Sequence, residues 1–300
     1  MKIMKRCVYI LLVLFSIPAL SQDIDNTRLL KMRDSLDNLL MVAPTSSPIL
    51  VKKGEIEVYF FNSTANATQF NDKSGGNANK PGKQSAFSSV LQLNFGISNS
   101  RRINAGVDLS FRSFSSDPDK NSLGASFQAS GLSYFGPRIR VQPFRKRRNF
   151  TYQANLWIPI ASADTQVSIG ASRYSWGNTF FYYKYITPKV GIFAQANFTF
   201  GLPGPNETAQ ETNFVMPITL AASYVATKKD IFFVLLTYGW INDDVKKSFE
   251  GADSDYVQLT PGYQRIISKR FFANVSYTTT VMARNYAKWK GFNFGVRVLI

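Results

Sequence analysis

The chain has 300 residues, 45% hydrophobic and 14% aromatic, with charged residues at only 18% and a formal net charge of +16. There is no histidine, which excludes a Ser-His-Asp arrangement, and the single cysteine excludes a Cys₄ or Cys₂His₂ zinc site. High aromatic and low charged content lean toward a wall that faces lipid rather than a soluble surface.

Residues 1–21 read as a secretory signal peptide. Lys2, Lys5 and Arg6 precede the apolar run Val8–Phe15, Pro18 breaks it, and Ala19 and Ser21 supply the small residues before Gln22. Cys7 lies ahead of the apolar run and is not placed for acylation. Residues 22–53 follow as a helix and linker. Leu29, Met32, Leu36, Leu39 and Leu40 form a helical stripe that Pro44 and Pro48 end. This segment is expected to rest on a periplasmic rim or to enter a lumen as a plug.

From residue 54 onward the pattern changes to period two. No later stretch is apolar over the roughly 18 residues of a membrane helix. Only a closed barrel satisfies its backbone in lipid without helices. Twelve strands are expected, at 54–62, 87–97, 103–114, 131–141, 150–160, 174–185, 190–200, 214–225, 231–241, 255–266, 271–282 and 290–300. Alternation is weakest at 231–241, where both faces are apolar; that strand either packs on a luminal plug or is misregistered. The connections alternate short and long, as periplasmic turns and external loops do in membrane barrels. The expected class is therefore all-β: a transmembrane antiparallel up-and-down barrel over residues 54–300.

The short turns carry Arg101, Arg102, Arg145, Lys146, Arg147, Arg148, Lys189, Lys228, Lys229, Lys269 and Arg270. A basic rim of this kind suits anionic headgroups, whereas a nucleic-acid groove would be continuous with interleaved aromatics. Six charged residues fall on expected inward positions: Asp108, Arg112, Arg138, Arg140, Lys184 and Arg297. Either they make a basic lumen that favours polar or anionic solutes, or they pair to fill space. Asp243, Asp244, Asp253 and Asp255 cluster about one long loop, an unspecific calcium pattern. No phosphate-loop, dinucleotide or nucleophile-elbow motif is present, and neither a cofactor nor catalysis is expected.

Phe292, Phe294, Val296, Val298 and Ile300 share one face of the last strand. This resembles the C-terminal strand that barrel-assembly machinery recognises in outer-membrane proteins, although that signal usually ends in Phe or Trp. With the signal and strand rhythm, the chain resembles poorly characterised outer-membrane β-barrels of Gram-negative bacteria, especially the Bacteroidota. The resemblance implies an outer-membrane location among lipid and lipopolysaccharide. A twelve-strand count also resembles acidic-oligosaccharide and nucleoside channels and autotransporter translocators. The absence of a preceding passenger counts against the last. No functional residues carry over. The expected function is a channel for small polar or anionic solutes; the alternative is a non-conducting barrel whose loops bind surface partners.

Overall fold

A computed structural model describes residues 50–76, 82–117, 126–144, 149–204, 211–247 and 251–300. The signal segment, the helical stripe of residues 23–41 and the turn residues 145–148 lie outside the described residues.

The strands are β1 (Ile56–Asn71), β2 (Gln84–Gly96), β3 (Ile103–Ser116), β4 (Phe127–Val141), β5 (Phe150–Pro159), β6 (Tyr174–Tyr185), β7 (Val190–Leu202), β8 (Asn213–Val225), β9 (Asp230–Asn242), β10 (Ser254–Ser268), β11 (Phe271–Arg284) and β12 (Tyr286–Leu299). Each pairs antiparallel with its chain neighbours, and β1 pairs with β12 to close the barrel. Among the described residues a short helix, α1 (Ala163–Ser168), lies between β5 and β6, and a 3₁₀ turn (Val245–Lys247) follows β9.

The twelve expected strands all form, and most grow longer at the long-loop end. β1 runs to Asn71 rather than stopping near residue 62, so half of the expected loop is ladder. The polar run Ser63–Gln69 hides this extension, because its side chains carry little apolar alternation. The expected loop 283–289 shrinks to Asn285, which turns the chain with φ 50°. Asparagine tolerates that left-handed backbone better than most residues.

Three prolines leave marks on the ladder. A closed barrel has no edge strand to accept a residue without an N–H. Pro137 coincides with a break in β4–β5 pairing between Phe135↔Ile158 and Arg138↔Asn155. Pro217 sits in a break of β7–β8 between Ala196↔Ile218 and Thr199↔Val215. Pro261 does the same on the β11 side of β10, between Leu259↔Thr279 and Gly262↔Ser276. Each proline keeps its register on its other flank.

The outer face is apolar and exposed, with Phe60, Leu109, Ile139, Leu156, Phe180, Phe232, Leu236, Val275, Phe292 and Phe294 among its members. Aromatic rings meet across strands on this face. Trp176 contacts Phe200, Phe200 contacts Phe214, and Phe180 contacts both Phe198 and Tyr152. An exposed apolar band of this size is tolerable only against lipid.

β9 pairs in unbroken register with β10 and β8, and its second apolar row has a structural reason. Ile231, Phe233 and Leu235 face inward and are buried. Phe233 and Leu235 pack with Phe181, Phe193 and Ala221 from β6, β7 and β8. Among the described residues, the partners of Phe233 and Leu235 are inward side chains of neighbouring strands.

Candidate functional site

At the short-turn end, the first layer of the interior is charged and buried. Glu57 on β1 is ion-paired with Arg297 of β12 through Nε, and Asn94 Nδ2 donates to its other carboxylate oxygen at 2.7 Å. On β3 and β4, Asp108 Oδ1 lies 3.0 Å from Arg138 Nη1, both side chains 1% exposed. Arg140 donates through Nε and Nη2 to Gln153 Oε1, at 2.9 and 2.6 Å. Aromatic rings back the guanidinium groups. Arg140 stands 5.5 Å from the ring centre of Phe181, and Arg297 5.2 Å from that of Phe272. Glu57 is also within electrostatic reach of Arg138 and Arg140. Tyr59, Ile231 and Gln264 are buried in the same third of the barrel. The result is a belt of packed side chains rather than a ring of free cations.

Above the belt the lining changes character. One cavity of about 250 Å³ is bordered by Ser88, Gln92, Asp108, Gln153, Asn155, Trp157, Thr179, Phe181, Gln195 and Asn197, with Phe61 and Val90. A second, of about 580 Å³, shares Phe61, Ser88, Gln195 and Asn197 with the first, so the two adjoin. It rises past Thr219, Thr237, Gln258, Thr260, Thr278 and Asn293 toward Tyr286 and Trp289. Among the described residues, Asp108 is the sole charged residue on either lining, and no Lys or Arg borders them.

The long-loop end is narrowed from one side. The loop carrying α1 folds onto the inner face of β4, where Ile169 and Ala171 are buried with Tyr134, and Trp157 and Ala129 pack beside them. Arg112 holds this loop, donating from Nη1 to Gly170 O at 3.0 Å while its guanidinium lies 5.2 Å from the Tyr134 ring centre. The sequence offered little sign of this fold-back. The helix is six residues long, and its N-cap residue Ser162 makes no capping hydrogen bond to the helix backbone.

Five of the six expected inward charges, Asp108, Arg112, Arg138, Arg140 and Arg297, do lie on the inward face. The arginines among them are engaged rather than free to line a basic lumen. Lys184 is a correction. Phe181 and Thr179 face the cavity, so the period of two puts Lys184 on the opposite face with Phe180 and Tyr182. Both faces of β6 are aromatic at this end, which removes the contrast from which facing was read. At a strand end next to the rim, the lysine stem can lie along the apolar wall with its ammonium in water. Sequence reading missed the amides Gln92, Gln153, Asn155 and Gln195 as site residues, although Gln153 and Asn155 alternate openly with apolar neighbours.

The acidic loop residues are not grouped as a metal site among the described residues. Asp253 Oδ2 accepts the Asp243 amide at 2.9 Å, and Asp255 pairs with Arg284 at 2.7 Å.

A closed twelve-strand up-and-down barrel, apolar outside and polar within, has the fold of outer-membrane β-barrels. No family model matches the sequence, and no curated protein matches it. Among solved structures the chain is similar to an outer-membrane channel from Pseudomonas putida F1, with TM-score 0.67 and 11% identity, covering 85% of this chain and 98% of that one. It is also similar to the β domain of the Bordetella autotransporter Brka, with TM-score 0.54 and 13% identity over 81% of this chain and 98% of that one. At these identities the likeness is one of fold.

Proposed function

We propose that the protein is an outer-membrane channel for small polar solutes, and that it favours neutral solutes over anions. The observation that carries this is the hydroxyl and amide lining of the two adjoining cavities, on which, among the described residues, the Asp108 carboxylate is the one charged group and no basic side chain stands. The similarity to the Pseudomonas channel supports the conduit reading through its fold. In this reading residues 1–21 are the export signal and the short basic turns face the periplasm. The outward residues Phe292, Phe294, Val296, Val298 and Ile300 serve assembly, and lipid and lipopolysaccharide cover the outer band. The chain has no enzymatic role and needs no cofactor.

The belt of buried side chains favours one other reading: a non-conducting barrel whose external loops bind partners. Passage through the belt requires its side chains to give way, so wild-type flux should be slow. Proteoliposome swelling separates the two. The channel reading expects glucose to enter faster through the protein than glucuronate of the same size, with both faster than in empty vesicles. Swelling no faster than that of empty vesicles for every solute sinks it. Planar-bilayer recordings add a second readout, in which the channel reading expects small, weakly selective conductance steps. The barrel itself is checked by gel migration: the unboiled protein should run differently from the boiled one.

A further inference from the structure

The lower cavity has a recognition chemistry of its own. Gln92 and Asn155 are each 7% exposed, and with Gln195 they make no side-chain hydrogen bond among the described residues. Gln153 gives its carbonyl oxygen to Arg140, which leaves its amide hydrogens unused. Asp108 Oδ1 accepts no hydrogen bond; its contact with Arg138 Nη1 is an ion pair without hydrogen-bond geometry. Buried polar groups are normally satisfied by protein, ordered water or a ligand. Here several such groups border a single space of about 250 Å³.

The same space has apolar walls of a particular form. Trp157 lies on Gly136, with three of its ring atoms 2.9–3.2 Å from where a Cβ would stand. Only glycine lets the indole lie this flat against β4, with its other side toward the cavity. Phe181 is held against Arg140 and borders the cavity from β6. Flat aromatic walls combined with amides and a carboxylate match a molecule that has both C–H faces and a rim of hydroxyl groups. Amides both donate and accept, as hydroxyls do, while the carboxylate accepts only and repels anions. A volume of 250 Å³ admits one hexose-sized molecule.

We infer that this cavity, walled by Gln92, Asp108, Gln153, Asn155, Trp157 and Phe181, is a binding subsite for a neutral polyhydroxylated solute of monosaccharide size. The inference deepens the channel reading and rests on it for the biological role, but binding and passage are separately measurable. The Asp108 carboxylate discriminates against acidic sugars, the four amides hold hydroxyl groups, and Trp157 reports occupancy.

The test uses the full-length protein in detergent, titrated with D-glucose, D-galactose and D-glucuronate. Calorimetry and tryptophan emission are both followed, in wild type, Trp157→Phe and Asn155→Leu. The expected result is saturable binding of at least one neutral hexose with a change in emission that Trp157→Phe abolishes. Asn155→Leu should weaken that binding at least tenfold, and glucuronate should bind at least tenfold more weakly than the hexose. Heat-modifiable migration of each variant confirms that it is folded; if Asn155→Leu is not, Asn155→Asp serves in its place, and it must change hexose affinity. Absence of saturable hexose binding, or glucuronate binding as tightly, overturns the inference. So does equal affinity in wild type and the folded Asn155 variant. Hexose swelling without binding leaves the channel reading standing and removes the subsite. Binding without swelling keeps the subsite and removes the channel.

Discussion

Glu57→Ala will cost the folded barrel about 3–5 kcal/mol, the penalty for leaving a buried charge without its partner. Arg297 is 2% exposed and Glu57 1%, so neither can turn to water when the other is lost. Glu57 also anchors Asn94 on β2, so the substitution loosens both flanks of β1. Arg297→Ala should cost a similar amount, because Glu57 is then left facing Arg138 and Arg140 from a distance. The double variant Glu57→Leu/Arg297→Met should cost less than either single change, since it removes both desolvated charges and keeps the volume. Urea titration of the detergent-folded protein, read by gel migration and tryptophan emission, measures all three. Single variants within about 1 kcal/mol of wild type would mean that water reaches the pair, as at an ordinary surface ion pair, and the packed-belt description would be wrong.

If passage needs this layer to give way, the Leu/Met double variant, which lacks the ion pair but keeps its bulk, should change conductance modestly. Replacing Arg140 by alanine should raise it more, because Arg140 bridges from β4 to the Phe181 ring and to Gln153. Unchanged bilayer conductance in Arg140→Ala would show that the conducting path avoids this side of the belt.

The second large effect is expected at the closing seam. A Cβ on Gly291 would stand 1.8 Å from Thr64 O and 2.8 Å from Thr64 C, which are backbone atoms of the paired strand. Gly291 pairs with Ala65 in the β1–β12 ladder, the contact that turns a twelve-strand sheet into a barrel. Overpacking usually costs about 1–3 kcal/mol. Here no side chain can rotate away, so Gly291→Val should reach or exceed the top of that range and reduce the yield of the heat-modifiable form. Gly76→Ala is the control, since its added Cβ would meet only Asp72 and Ser74 side-chain atoms at 3.5 Å or more. Equal yields of the folded form from both variants would contradict the seam geometry.

The barrel was legible because its two signals are local. Period-two alternation places Phe292, Phe294, Val296 and Val298 on one face whatever the neighbouring strand does. Turn residues such as Lys228–Lys229 and Lys269–Arg270 mark the short connections without reference to the rest of the fold. Strand number follows from counting both. Strand ends at the long loops were less legible, since Ser63–Gln69 and Tyr286–Trp289 lack the apolar contrast that lipid imposes on the middle of a strand.

The interior is a different matter. That Asp108, Arg112, Arg138, Arg140 and Arg297 face inward follows from alternation alone. What they do there depends on which strands meet, and residues far apart in sequence supply the partners. Glu57 meets Arg297 only because β1 closes on β12, and Arg140 reaches Phe181 across β5 because the wall is curved. Alternation alone misplaces Lys184 because its strand carries aromatics on both sides, and only packing against Phe193 and Phe233 decides which side is core. Chain-local physics thus determined a basic, histidine-free, twelve-strand barrel with an apolar skin. Closure of the wall decided the rest: it brought distant charges into one packed belt and left the amides of Gln92, Asn155 and Gln195 around a cavity whose one charged border is Asp108.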